Sequence, residues 1–168
     1  MHQPFARSGD IDPSILEAIQ DKTGWSLKEI TTYLNKKSGI FGMNGVSSDM
    51  RDNDAEMAKG NKRAILAYEM LAYQIKKFIG AYTAVMGGVD AIVFTGGVGE
   101  NDTILREKVL TGLEYLGVEL NKEHNKTMPR GTTQEISTPN SKVKVYVIPT
   151  DEECMIAKDT ERLVKGQN

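Results

Sequence analysis

The run Asp90-Ala91-Ile92-Val93-Phe94-Thr95-Gly96-Gly97-Val98-Gly99-Glu100-Asn101 constrains this chain more than any other. Ala91 to Phe94 are apolar without alternation, the pattern of a strand covered on both faces of a parallel sheet. Three glycines follow within four positions, where backbone can approach a ligand that a Cβ would meet. Asn101 and Asp102 are good helix N-cap residues, so a helix is expected to open there. Free N–H groups at a helix start attract phosphate and ribose oxygens. The succession suits a nucleotide site, but the same turn also serves as plain backbone geometry in α/β proteins. The residues leave both readings open.

Other classes are disfavoured by composition. A chain of 168 residues with 39% hydrophobic and 26% charged residues fits one ordinary globular domain. Lys and Arg are dispersed among Asp and Glu, and a net charge of −2 argues against a nucleic-acid partner. The single cysteine, Cys154, excludes an internal disulfide and suits a reducing cytosol. No stretch of about 18 apolar residues is present to span a membrane. Met1 to Ala6 lack the charged and apolar regions of a secretory signal, so the expected location is cytoplasmic.

Periodicity and capping signals place the elements. Asp12 with Pro13 starts a helix to about Lys22, ended before Gly24. Ser26 with Glu29 forms a capping box for a second helix to about Lys37, and Trp25 is read as packing between the two. Ser38 to Asp49 reads as a Gly/Ser loop. The longest helix ends at Met86, where Ala64, Tyr68, Leu71, Ile75, Phe78, Tyr82 and Val85 form one apolar stripe, core or subunit contact. Gly87-Gly88 hands it to strand 90–95, and a helix from Asp102 to about Leu116 follows. Asn121 to Asn140 reads as irregular, with a short edge strand near Gln134–Ser137. Val143 to Ile148 is a second buried strand, and a last helix, capped at Thr150, runs from Asp151 to about Val164, with Cys154 in the core. Strands alternating with helices and no hairpin signal give a parallel α/β layer arrangement.

Three polar clusters fall at the ends of these elements, where α/β proteins hold ligands. One is the glycine turn. Another is Pro149-Thr150-Asp151-Glu152-Glu153, whose carboxylates either cap a helix or anchor a hydrated Mg²⁺, which takes one or two carboxylates plus phosphates. The third is arginine in loops, Arg7 before Ser8-Gly9 and Arg51 within Ser48-Asp49-Met50-Arg51-Asp52. A guanidinium fork suits phosphate oxygens, but such an arginine also forms inconsequential surface pairs. His2 and His124 match no metal or triad spacing.

Taken together, Arg7-Ser8-Gly9-Asp10-Ile11-Asp12-Pro13, Ser47-Ser48-Asp49-Met50-Arg51-Asp52, Phe94 to Asn101 and Val147-Ile148-Pro149-Thr150-Asp151-Glu152-Glu153 resemble motifs that occur in this order in acetate kinases. The related propionate kinases share the pattern. The resemblance covers Arg7 to about Leu163. It implies a ribonuclease-H-like fold of the actin and sugar kinase superfamily, parallel strands with flanking helices. It implies Mg²⁺-dependent phosphoryl transfer between ATP and a short carboxylate, acetate or propionate, giving ADP and an acyl phosphate. Arg7 resembles the family arginine at the transferring phosphoryl group, and Glu152 resembles the magnesium-binding glutamate. Asp49, Met50 and Arg51, with Gly97, Val98, Gly99, Glu100 and Asn101, resemble the segments enclosing ribose and adenine. A homodimer, paired through the stripe Tyr68 to Val85, is also implied.

Departures matter as well. The family's opening Asn-x-Gly-Ser-Ser segment and His-x-Gly-x-Gly phosphate loop are not in this sequence. Pro4-Phe5-Ala6 stands where the family has Met-Gly-Thr, and Thr150-Asp151-Glu152 replaces the commoner Thr-Asn-Glu. The expectation is a non-native leader over residues 1–6 and a single domain over 7–168, the C-terminal nucleotide-binding part of an acetate kinase. Alone it is expected to be inactive, leaving a non-catalytic nucleotide-binding or dimerisation module as the alternative.

Overall fold

A computed structural model describes residues 7–166, so the leader reading and His2 lie outside the described residues. The chain divides into two compact units, Met1–Lys77 and Phe78–Asn168. Among the described residues no helix is long and apolar enough to cross a membrane.

Four helices and the start of a fifth make up the first unit. Helix α1 (Ser14–Thr23) opens where Asp12 accepts the Ser14 N–H at 2.9 Å, and stops at left-handed Gly24. Helix α2 (Leu27–Lys36) carries the full capping box: Glu29 N–H donates to Ser26 Oγ, and the Ser26 N–H donates to the Glu29 carboxylate. Trp25 is 36% exposed and lies tilted against Tyr33 of α2, so the packing expected of it is a contact at the rim. The expected loop after residue 38 instead contains helix α3 (Gly39–Asn44). Its last turn is held from a distance, because Arg63 donates to the carbonyls of Met43 at 2.7 Å and Gly42 at 3.1 Å. Helices α4 (Met50–Ala58) and α5 (Lys62–Met86) follow, the latter giving residues 62–77 to this unit. Ile30, Ile40, Met50, Ala64, Ala67 and Tyr68 are buried, at roughly 1.5–3 kcal/mol for each large aliphatic side chain.

The second unit is built on a three-stranded sheet. Strand β1 (Ala91–Phe94) is followed by helices α6 (Gly96–Asn101), α7 (Thr103–Leu110) and α8 (Lys122–Thr127). Strands β2 (Gln134–Glu135) and β3 (Lys144–Val147) and helix α9 (Glu152–Val164) complete it. The order is β1-β3-β2. As expected, β1 and β3 run parallel, with Ile92 opposite Val145 and Phe94 opposite Val147. The sheet is mixed, however, since β2 pairs antiparallel with β3. Only residues 136–143 separate those two strands, too few for the crossover of about a dozen residues that a parallel pair needs.

Several expectations are corrected here. Burial alternates along β1: Ile92 and Phe94 are buried while Val93 is 49% exposed. Successive side chains point to opposite faces, so the described residues cover the face of Ile92 and Phe94 and leave that of Ala91 and Val93 open, whatever the apolar sequence. The long stripe also splits, with Ala64 and Tyr68 buried and Phe78, Tyr82 and Val85 exposed. No residue of α9 is buried, and Cys154 is half-exposed where a core position was expected. Asn121–Asn140 is more ordered than its polarity suggested, because Asn121 caps α8 by accepting the His124 N–H.

Candidate functional site

Within the second unit, β1 and β3 end side by side, and both sequence motifs grow from those ends. After β1 the chain passes Thr95 and enters α6 at once, so the helix starts at Gly96 where it was expected at Asp102. Asp102 still caps the next helix, accepting the Leu105 N–H at 2.8 Å. Asn101 does not cap; its amide donates to the Gly97 carbonyl.

Each glycine of the turn meets a different requirement. Gly96 has a φ of +70°, the left-handed region in which a side chain is strained. A Cβ on Gly99 would stand 3.2 Å from the Phe94 carbonyl carbon, so this glycine lets α6 lie directly on β1. A Cβ on Gly97 would find nothing within 4 Å. No fold requirement of that kind demands glycine at 97, and the space beside it is open to a ligand.

The two motifs are joined. Glu100 accepts the Thr150 N–H and the Thr150 hydroxyl, both at 2.9 Å and both on Oε1. These donors, the backbone N–H first, hold its carboxyl below the usual range, with slight desolvation opposing them. Asp151 caps α9 by accepting the Cys154 N–H, a role the sequence had given to Thr150. Glu152 is exposed in the first turn of α9, and its carboxylate has no hydrogen bond or ion pair among the described residues. No three His, Cys, Asp or Glu side chains gather into a metal cluster among the described residues. A free carboxylate at Glu152 nevertheless fits a Mg²⁺ that takes one protein ligand and completes its shell with phosphates and water.

In the first unit, Asp49 and Arg51 are bound to each other. Asp49 caps α4 through the Arg51 N–H at 2.9 Å, and its carboxylate receives Arg51 Nη2 at 2.6 Å. The guanidinium holds the Asp49 carboxyl down to about 2. Arg51 remains 89% exposed, so the pair is screened by water and its guanidinium can leave for another oxyanion. Met50 is buried under this cap. Arg7 is exposed, beside Ser8, whose N–H donates to the Leu34 carbonyl of α2.

Two supporting clusters escaped the sequence reading. Asn44 and Asn53 are buried, with the Asn44 amide donating to Asn53 Oδ1 and to the Ser47 carbonyl. Asn44 Oδ1 accepts the N–H groups of Val46 and Ser47, which fixes the turn leading to Asp49. In the second unit Arg106 is fully buried on α7 among Leu105, Val109 and Leu110. A charged residue at helical spacing on an apolar face was the signal that marked it.

The family model described as the acetokinase family matches residues 5–158. An acetate kinase of Thermoanaerobacter pseudethanolicus is 56% identical over 161 residues, 95% of this chain and 40% of that protein. The crystal structure of Porphyromonas gingivalis acetate kinase superposes with a TM-score of 0.87 at 50% identity, covering 95% of this chain and 40% of the other. A propionate kinase from Francisella tularensis superposes with a TM-score of 0.81 at 41% identity, covering 90% and 38%. The chain thus spans about 40% of the length of the relatives it matches.

Proposed function

The chain belongs to the acetokinase family, and from that premise we propose that it carries the nucleotide-holding part of phosphoryl transfer between ATP and a short carboxylate. Acetate is the proposed acceptor, with propionate as the alternative. A carboxylate oxygen attacks the terminal phosphorus of ATP, the bond to the bridging oxygen breaks, and ADP leaves with the acyl phosphate as co-product. Such a transfer asks the protein chiefly for positioning and charge neutralisation.

The supporting observation is the grip of Glu100 on Thr150, which ties the glycine turn to the segment carrying Glu152. In this reading Gly97 to Asn101 of the second unit contact ribose and adenine; of the first unit, taken by itself and on the family resemblance, Asp49 to Arg51 are proposed for nucleotide contact and Arg7 for the transferring phosphoryl group. Glu152 would hold Mg²⁺, which when bound draws charge from the phosphate oxygens. Glu100, already engaged with Thr150, shapes the pocket wall; Gly97 gives the nucleotide room. By itself the chain is proposed to bind nucleotide without turning it over. The assembly proposed is a homodimer through the exposed end of α5, where Phe78, Tyr82 and Val85 are uncovered.

Calorimetric titration of the chain with ADP, with and without Mg²⁺, tests this. Saturable binding that tightens with Mg²⁺ is expected, and Glu152→Ala should abolish the metal-dependent gain while keeping metal-free binding. No binding by a folded chain overturns the nucleotide reading. Equal loss in both conditions for Glu152→Ala removes that residue from the metal. Acetyl phosphate formed by the chain alone overturns the inactivity proposed for it.

A further inference from the structure

Helix α6 is poorly equipped to hold itself in place. It has six residues, three of them glycine, and none of its side chains is buried. So short a helix has little stability of its own, and glycine adds backbone entropy that folding must overcome. Its position therefore depends on groups outside it.

Arg106 is the group best placed to supply that support. Its Nη1 donates to the Gly99 carbonyl at 2.7 Å and to the Glu100 carbonyl at 2.9 Å, closing the end of α6. The other side of the fork is itself fixed: Nε donates to Asn125 Oδ1 at 2.8 Å and Nη2 to the Asn125 carbonyl at 3.2 Å. Asn125, also buried, is oriented by donating to the Thr103 carbonyl at 2.9 Å. A rigid fork of donors is needed to reach these four acceptors, and a lysine presents only a point charge. Burial disfavours the charge on Arg106, with Asp102 partly compensating, so a residue chosen for core packing alone would be apolar.

We infer that Arg106 is a positioning residue of the nucleotide site, clamping the Gly99 and Glu100 carbonyls so that the Glu100 carboxylate is aimed at Thr150. The sequence of contacts runs Asn125, Arg106, the α6 backbone, Glu100, Thr150 and the start of α9. Arg106 touches no ligand in this scheme; it sets the distance between the glycine turn and Glu152. This rests on the nucleotide reading given above.

The test uses Arg106→Gln, Glu100→Ala and the double variant of the 168-residue chain, read by ADP titration and by amide hydrogen exchange. Each single variant should weaken ADP binding about tenfold, the scale of one lost hydrogen bond to a charged group. The double variant should be no weaker than Arg106→Gln, because both act through one clasp. Exchange should accelerate at residues 97–102 and at Thr150 while Val145 and Val147 stay protected. Additive losses, or loss of protection spread evenly over the sheet, would reduce Arg106 to a core residue and overturn the inference. If Arg106→Gln does not fold, Glu100→Ala decides on its own, since it alters a half-buried side chain outside the core. Unchanged ADP affinity and unchanged Thr150 exchange in Glu100→Ala overturn the proposal. A parent chain that binds no ADP overturns the nucleotide reading instead, a result distinguishable from either.

Discussion

At the residue scale, the three glycines of the turn show why one residue type carries different consequences at neighbouring positions. Gly96 is set by its positive φ, Gly99 by the nearness of Phe94, and Gly97 by neither. Gly97→Val is therefore the informative substitution. Its side chain meets only open space in the fold, so the urea midpoint should shift little, by less than about 1 kcal/mol. ADP affinity should fall about tenfold or more if the nucleotide lies there, on the scale of a pocket clash. An unchanged Kd would take Gly97 out of the site. Asp49 and Arg51 behave differently, because each satisfies the other in water and both are substantially exposed. They add little to stability, so any large effect of changing Arg51 on ADP binding would come from ligand contact.

At the element scale, helix ends explain both the successes and the errors. The Ser26–Glu29 box was legible because capping is local, fixed by residues three apart. Ser26→Ala should cost about 1 kcal/mol in urea unfolding, as losing a cap usually does. The pH dependence has a definite sign. The Ser26 hydroxyl and N–H lower the Glu29 carboxyl below its ordinary 4.5, so the ionised form is favoured in the folded chain. That contribution is fully present above pH 4.5 and fades as pH falls through the lowered value. The gap between parent and Ser26→Ala should therefore narrow in acid, leaving the share due to the bond from the Glu29 N–H to Ser26 Oγ, and a gap that persists unchanged at low pH would contradict the assignment. Helices α3 and α6 were read as turns because glycine scores poorly in any local rule. Each is held by an arginine from outside the helix: Arg63 of α5 on the Gly42 and Met43 carbonyls, Arg106 of the next helix on those of Gly99 and Glu100. No reading of neighbours within a turn of helix can supply that support.

At the scale of the whole molecule, the surfaces left open are as telling as those covered. Phe78 and Tyr82 stack on each other yet remain exposed, and Val85 is 84% exposed. Apolar groups gathered on one helix end favour association. Sedimentation velocity at micromolar concentration should find a dimer, and Val85→Asp should return it to monomer; a monomeric parent chain would refute pairing through α5. The fold itself was partly legible. The parallel pair β1 and β3 followed from two apolar runs separated by a long helical stretch, since such spacing leaves room for a crossover. The antiparallel β2 was not legible as such, because two residues of ladder carry no periodic signal. The sequence alone determined the Ser26–Glu29 box, the Asp102 cap, the long helix ending at Met86 and the order of motifs that mark the family, all of which depend on residues close in the chain. Only the tertiary structure decided which part of each apolar run is covered, which short turns become helices, and that Glu100 meets Thr150. Those outcomes depend on contacts between segments far apart in sequence, where burial and hydrogen-bond partners are set by the folded geometry and not by local pattern.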